Sequence, residues 1–218
     1  MVVVTNDNKP AVWEMVVVHR VFRRELKLMP ELIRRATPGD TERAARLASF
    51  VNEILDGLHH HHEAEDKLLW PLLLDRVVFE VDLVNAMERQ HERVASHIEA
   101  LRGPLGAWGR SGEGGGRVAG VLDRLHDDLV VHLDQEEERI LPLVAEHITK
   151  EEWDRLSEYG RSHLSKDRLL FQLGALLEDA SHWERQAFLD LLPLPARVLW
   201  AVVGKRQYRK EIARIRAV

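Results

Sequence analysis

The sequence predicts an all-α protein, an up-down antiparallel four-helix bundle with additional C-terminal helices. Three observations lead there. Apolar residues recur at three- and four-residue intervals through long segments, as in Leu83, Val84, Met87, Val94, Ile98 and Leu101, with no strand-like alternation. Hydrophobic residues make up 45% of the 218, enough for a sizeable core, and Ala, Leu, Glu and Arg, which favour helix, are common. The connections are short and marked by Gly and Pro, which lays consecutive helices side by side.

The first helix is expected from Trp13 to about Arg35, with Pro30 kinking it or ending it locally. Thr37-Pro38-Gly39-Asp40 is a turn, and Asp40 or Thr41 is placed to cap the second helix, which runs to about Arg76 with a bend near Pro71. A third helix starts near Val81 and is expected to end near Arg102, where Gly103-Pro104 follows. Ser111–Gly116 is a glycine-rich connection, and a fourth helix spans about Arg117–His147 with Pro142 late in it. Residues 12–148 then form the bundle. Residues 149–218 form a helical extension: a start capped by Thr149 and Glu152, segments near Lys166–Asp179 and His182–Leu192, a break at Leu191–Pro195, and a basic tail.

Composition removes several classes of function. The net charge of −5 gives no signal for nucleic acid. There is no cysteine, so disulfides, thiolate ligands, iron–sulfur clusters and cysteine nucleophiles are all excluded. Met1–Val18 is broken by Asp7, Lys9, Pro10 and Glu14 and does not read as a signal peptide, and no run reaches the ~20 apolar residues of a membrane span. A cytoplasmic protein without an integral membrane segment is the expectation.

The chemistry lies in a duplicated pattern. His61-x-x-x-Glu65 and His132-x-x-x-Glu136 each place an imidazole and a carboxylate one helical turn apart, and in each a proline, Pro71 or Pro142, follows the histidine by ten residues. His19 precedes His61 by 42 residues and His91 precedes His132 by 41, so each helical hairpin supplies a His and then a His-x-x-x-Glu. Imidazole and carboxylate together suit iron, zinc or manganese, and two such hairpins facing each other make a binuclear site. Alone, each pair would read as a solvated helix face. In the run Leu58–Asp66, His59/Glu63 and His62/Asp66 also have four-residue spacing. The repeat selects His61/Glu65, and so does the spacing of Leu58, His61, Glu65, Leu68 and Leu72. His59, His60 and His62 are then expected to flank the site, exposed or behind the ligands, with His62 and Glu63 kept as minor alternatives for ligation.

This ordered set resembles the hemerythrin and HHE cation-binding family over about residues 12–148. The resemblance implies a bundle holding two non-haem iron ions, oxo- or hydroxo-bridged, with His19, His61, Glu65, His91, His132 and Glu136 as metal ligands. One iron would take His19 and His61, the other His91 and His132, with Glu65 and Glu136 bridging. The oxygen carriers of that family have a second His four residues after the helix-three His; this chain has Ala95 there, and His97 is turned elsewhere. Four histidines would leave about two open positions on each iron, with Glu88 a candidate replacement ligand. Glu88-x-x-His91 also resembles the Glu-x-x-His motif of ferritin-like proteins, but the fourth helix offers no partner motif.

Two classes of function follow from the resemblance: turnover of a small oxidant, hydrogen peroxide first and nitric oxide second, or reversible binding, storage or sensing of O2 or iron. Open positions on both irons favour peroxide. A structural zinc site or a metal-free bundle is the plain alternative. In the tail, Ala196–Val218 has seven basic residues against one acidic. It is expected to be a packing helix with Trp200, Val202 and Val203 buried, in preference to a nucleic-acid or anionic-membrane contact.

Overall fold

The computed structural model describes residues 8–163 and 165–217. Residues 1–7 of the segment expected not to be a leader lie outside the described residues. Regular structure among the described residues is helical throughout: α1 Trp13–Arg35, α2 Thr41–Ala64, α3 Trp70–Arg76, α4 Val81–Ser111, α5 Gly115–Gln135, α6 Leu141–His147, α7 Lys150–Ser162, α8 Leu169–Glu178, α9 His182–Asp190, α10 Leu194–Leu199 and α11 Lys205–Arg216. Helix α1 packs on α2 and α5, and α4 packs on α2 and α5, so the four long helices close a ring. No helix among the described residues is long and apolar enough to cross a membrane.

Local chemistry sets most boundaries. The Asp40 side chain accepts from the Arg43 N–H and caps α2. Thr149 and Glu152 form a reciprocal capping box at α7, and Ser181 and Glu184 form another at α9. Helix α4 ends at Gly112, whose φ of 72° is left-handed, and the Gly112 N–H donates to the Trp108 carbonyl. A Cβ at Gly112 would also lie 2.8 Å from the Gly39 carbonyl carbon, so this turn needs glycine twice over.

One predicted boundary is corrected. Gly103-Pro104 does not end the third helix, which continues to Ser111 with Pro104 inside it. Leu101, Leu105 and Trp108 lie on one face and are buried, so packing outweighs the backbone bond that proline forgoes.

The second and fourth segments are each interrupted just before their proline by the same device. Glu65–Leu69 and Glu136–Ile140 are π-helical turns. The Trp70 N–H donates to the Glu65 carbonyl, and the Leu141 N–H to the Glu136 carbonyl. Pro71 and Pro142 have no N–H and fall in the first turn of the restarted helices, where none is needed. The additional residue in the turn rotates the helix beyond it. Leu68 and Leu72 were expected on the buried face but are only half-buried, whereas Leu69, Trp70 and Leu73 are fully buried.

The core is split in two. One apolar cluster contains Phe22, Leu58, Val94 and Leu133; the other contains Met15, Trp70, Met87 and Ile140. Each long segment runs from one cluster to the other: Met15 to Val21, Leu58 to Ala64, Met87 to Val94, and Leu129 to Ile140. At the crossing point of each segment stand His19, His61–His62, His91, and His132 with Glu136. A polar layer is thus sandwiched between two apolar ones.

The C-terminal helices complete the first cluster. Phe171, Trp200, Tyr208, Ile212 and Ile215 join it from α8 to α11. The ring of Tyr208 lies where a Cβ on Gly174 would clash, so the close approach of α11 to α8 depends on that glycine. Trp200 is buried as expected, but Val202 and Val203 are not: they are 73% and 44% exposed. A π-helical turn at Trp200–Gly204 carries Trp200 inward and leaves the two valines facing outward with Leu194 and Val198.

Candidate metal centre

The polar layer brings all six predicted residues together. His19, Glu65, Glu136 and His132 are fully buried, His91 is nearly so, and the His61 side chain is 11% exposed. The Nε2 atoms of His19 and His61 are 3.1 Å apart, and those of His91 and His132 are 3.2 Å apart. Both carboxylates span these two pairs. Glu65 places one oxygen 3.3 Å from His61 Nε2 and the other 3.5 Å from His91 Nε2. Glu136 Oε2 lies 3.4 Å from His19 Nε2 and 3.6 Å from His132 Nε2.

A seventh residue is there too. His62, expected to flank the site, is 5% exposed, and its ring stacks on His91 at 4.0 Å with 7° between the planes. Donor atoms of His62, Glu65, His91 and His132 lie within 4.8 Å of one another, as do those of His19, His61, Glu65 and Glu136. The layer therefore holds five imidazoles. The fifth comes from α2 next to His61, whereas Ala95 on α4 is exposed. Glu88, the candidate replacement ligand, is also exposed and outside the layer. His97 turns away as expected and pairs with Asp128 at 2.8 Å. Glu63 lies on another face of α2, where Lys67 donates to it at 2.6 Å.

Three further residues hold the imidazoles. His19 Nδ1 is 2.9 Å from Glu137 Oε1, His91 Nδ1 is 2.6 Å from Asp66 Oδ1, and His132 Nδ1 donates to Gln90 Oε1 at 3.0 Å. Occupying Nδ1 leaves the Nε2 lone pair for a metal and fixes the plane of the ring. The acceptors are held in turn: Arg23 donates to Glu137, the Trp70 indole N–H donates to Asp66, and Gln90 donates to Gln135.

The layer is a poor place for these groups without a cation. Both oxygens of Glu65, both of Glu136 and Nε2 of His62 are buried with no hydrogen-bond partner among the described residues. Unsatisfied buried polar groups cost about 1–3 kcal/mol each, more when charged. Burial, then the neighbouring Glu136, pushes the Glu65 carboxyl well above the usual carboxylate range, and burial raises Glu136 as well. Burial, reinforced by neighbouring imidazoles, holds His61, His62 and His132 well below the usual histidine value, so these rings are neutral and able to donate lone pairs. Five unpaired donor atoms converging between neutral imidazoles fit a metal with nitrogen and oxygen ligands.

A family profile for the hemerythrin HHE cation binding domain matches residues 11–144. The chain belongs to that family. No curated protein and no solved structure matches it. The profile covers the four long helices, both π turns and every residue of the polar layer. The buried His/Glu cluster of this hemerythrin-like chain has the donor set to bind a metal ion.

Sequence reasoning ranked His62 only as a minor alternative and missed Asp66, Glu137 and Gln90, although helical phase favours the first and repeat position marks the next two. The HHE repeat superimposes His62 on Leu133, so a search for matching residues discards His62 for lacking a counterpart. Helical phase does not discard it. At about 100° per residue, His62 lies about 60° from Glu65, on the same side of α2. Asp66 and Glu137 are themselves repeat mates, each directly after its Glu.

Proposed function

We propose that the layer holds two iron ions, one bound by His19 and His61 and the other by His62, His91 and His132, with Glu65 and Glu136 shared between them. The protein then binds one small oxygen-derived or related ligand, O2, peroxide or NO, at the iron held by His19 and His61. Iron bound there supplies a redox-active centre with room for such a ligand.

The observation that carries this reading is His62. With four histidines both irons would have equal room, which favoured peroxide turnover. With His62 counted, the donor group of His91 and His132 has a third imidazole, while that of His19 and His61 has two. The open position falls to the His19/His61 pair, which is also where the layer has some solvent exposure, at His61. Apolar clusters lie on both sides, Glu137 fixes the His19 ring beside the open position, and Asp66 fixes His91 on the other side of the layer. This arrangement supports reversible binding or sensing over turnover. Peroxide turnover in stress defence is the second reading, favoured only in so far as the bridging Glu65 and Glu136 allow a ligand to reach both irons.

Metal analysis with an optical spectrum of the purified protein tests the centre. Two irons per chain and near-ultraviolet charge-transfer absorption are expected; zinc alone would overturn the reading. Mixing the reduced protein with O2, NO and peroxide then separates the two functions. A reversible adduct with little peroxide loss supports binding, and sustained peroxide consumption supports turnover.

A further inference from the structure

The run His59–His62 serves two faces of one helix. At about 100° per residue, His61, His62 and Glu65 occupy one arc of α2, and His59, His60 and Glu63 occupy an arc roughly opposite. The first set faces the buried layer. The second opens to solvent: His59 is exposed, and the side chains of His60 and Glu63 are 34% and 29% exposed. Donor atoms of His59, His60 and Glu63 nevertheless lie within 4.8 Å of one another, and none of the three belongs to the buried centre.

The surroundings orient these donors. Glu63 Oε1 accepts from Lys67 at 2.6 Å, and Lys67 is steadied by Tyr159 at 2.9 Å, which leaves Glu63 Oε2 facing His60 Nδ1 at 3.4 Å. From the end of α7, the His163 ring stacks on His60 with centroids 4.5 Å apart. His163 Nδ1 donates to the Tyr159 carbonyl at 2.8 Å, which leaves its Nε2 free, the same arrangement that prepares His19, His91 and His132 in the interior.

We propose that His59, His60 and Glu63, with His163 at the rim, form a second, solvent-facing site for a late first-row divalent cation. Two or three imidazoles with one carboxylate select Cu2+, Ni2+ or Zn2+ over Mg2+ or Ca2+, whose ligands are oxygens. Lys67 lies beside the carboxylate and opposes a cation, and the site is open to water, so it is weaker than the buried centre and exchanges its ion.

The experiment uses the full chain with its buried centre first loaded with iron and checked by metal content and absorption. Cu2+ is then added, and binding is followed by equilibrium dialysis and electron paramagnetic resonance. One further equivalent with imidazole nitrogen couplings is expected, and excess Mg2+ should not displace it. The double variant H59A/E63Q should bind that equivalent at least tenfold more weakly with its iron content unchanged, and H163A should weaken it severalfold. No further equivalent, retention of it in H59A/E63Q, or displacement by Mg2+ would overturn the proposal. The single variant H60A provides a second probe should the double variant fold poorly. Because iron content is read separately, loss of the interior reading would not be mistaken for loss of this one.

Discussion

The two hairpins that build the polar layer are near copies, and the one place where they differ sets the character of the centre. Each supplies a lone His, a His-x-x-x-Glu, a π turn that starts at the Glu, and a proline beyond it. The copies also cross-brace: Glu137 of the second hairpin holds His19 of the first, and Asp66 of the first holds His91 of the second. The difference is His62 against Leu133. Leu133 is buried in an apolar cluster, whereas His62 is buried in the polar layer beside His91 and His132. A symmetric scaffold thereby gains an asymmetric centre, with three imidazoles on one side and two on the other.

Removing what the copies share should have the largest effect. The double replacement Glu65→Ala and Glu136→Ala takes away the four buried carboxylate oxygens of the layer. Iron content per chain should fall to a small fraction of wild type, as read by metal analysis. Retention of two irons would show that other groups hold them. The thermal midpoint of the metal-free variant should match or exceed that of metal-free wild type, because two unpaired buried carboxylates are gone.

Removing the difference comes next. His62→Leu makes the first hairpin match the second at this position. The three-imidazole side should lose about 10–100-fold in iron affinity, and its iron should become as accessible to added ligand as the other. Peroxide consumption should rise severalfold over wild type in the iron-loaded variant. Wild-type iron affinity and ligand kinetics in His62→Leu would remove His62 from the centre.

Acidity probes what both copies have in common. Burial raises Glu65 and Glu136, so protons compete with metal for these carboxylates at a higher pH than for exposed ones, and competition grows as pH falls. His61, His62 and His132 are shifted the other way and compete only well below their usual value. Iron retention against a chelator should therefore weaken as pH falls toward the raised carboxylate range, and loading should release protons, measurable with an indicator dye. Retention that improved on acidification would contradict this assignment of protons.

The cross-braces give a smaller, paired effect. Asp66→Asn and Glu137→Gln each keep an acceptor oxygen but remove the charge behind an imidazole, which typically costs about 10–100-fold in metal affinity. Glu137→Gln should cost more. Glu137 is the less exposed of the two and is locked by Arg23, whereas Asp66 is nearly half-exposed and partly screened by water. Equal effects would mean that burial does not distinguish the two halves.

Much of this was readable from the chain because it depends on spacing along single helices. The all-helical fold and the Asp40 and Thr149 caps follow from intervals of three or four, and the six repeat residues from those together with the matching spacing of the two hairpins. What escaped depends on packing between segments. Pro104 stays helical because Leu101 before it and Leu105 and Trp108 after it are buried on one continuous face of α4. The π turns displace the buried face by one residue, which simple periodicity cannot anticipate. An exact repeat has no counterpart for His62, and helical periodicity puts Val202 and Val203 inside only if the helix runs on regularly past Trp200, where a π turn interrupts it.

The smallest effect should come from Gln90. It is the neutral counterpart of the two carboxylate braces: its amide oxygen accepts from His132 Nδ1 at 3.0 Å, and its amide nitrogen donates to Gln135 at 2.8 Å. A neutral acceptor orients the ring but raises its basicity less than a carboxylate does. His132 is also fixed by its neighbours, since the His62 and His91 rings lie edge-on to it at 4.9 and 4.7 Å. Gln90→Leu should therefore lower iron affinity only severalfold, less than either carboxylate replacement, while Gln90→Glu should restore or exceed wild-type affinity by supplying the charge that the other two braces have. Competition for iron against a calibrated chelator would rank all four variants. If Gln90→Leu proved as damaging as Glu137→Gln, orientation of the ring, and not charge behind it, would be what the braces contribute on both sides of the layer.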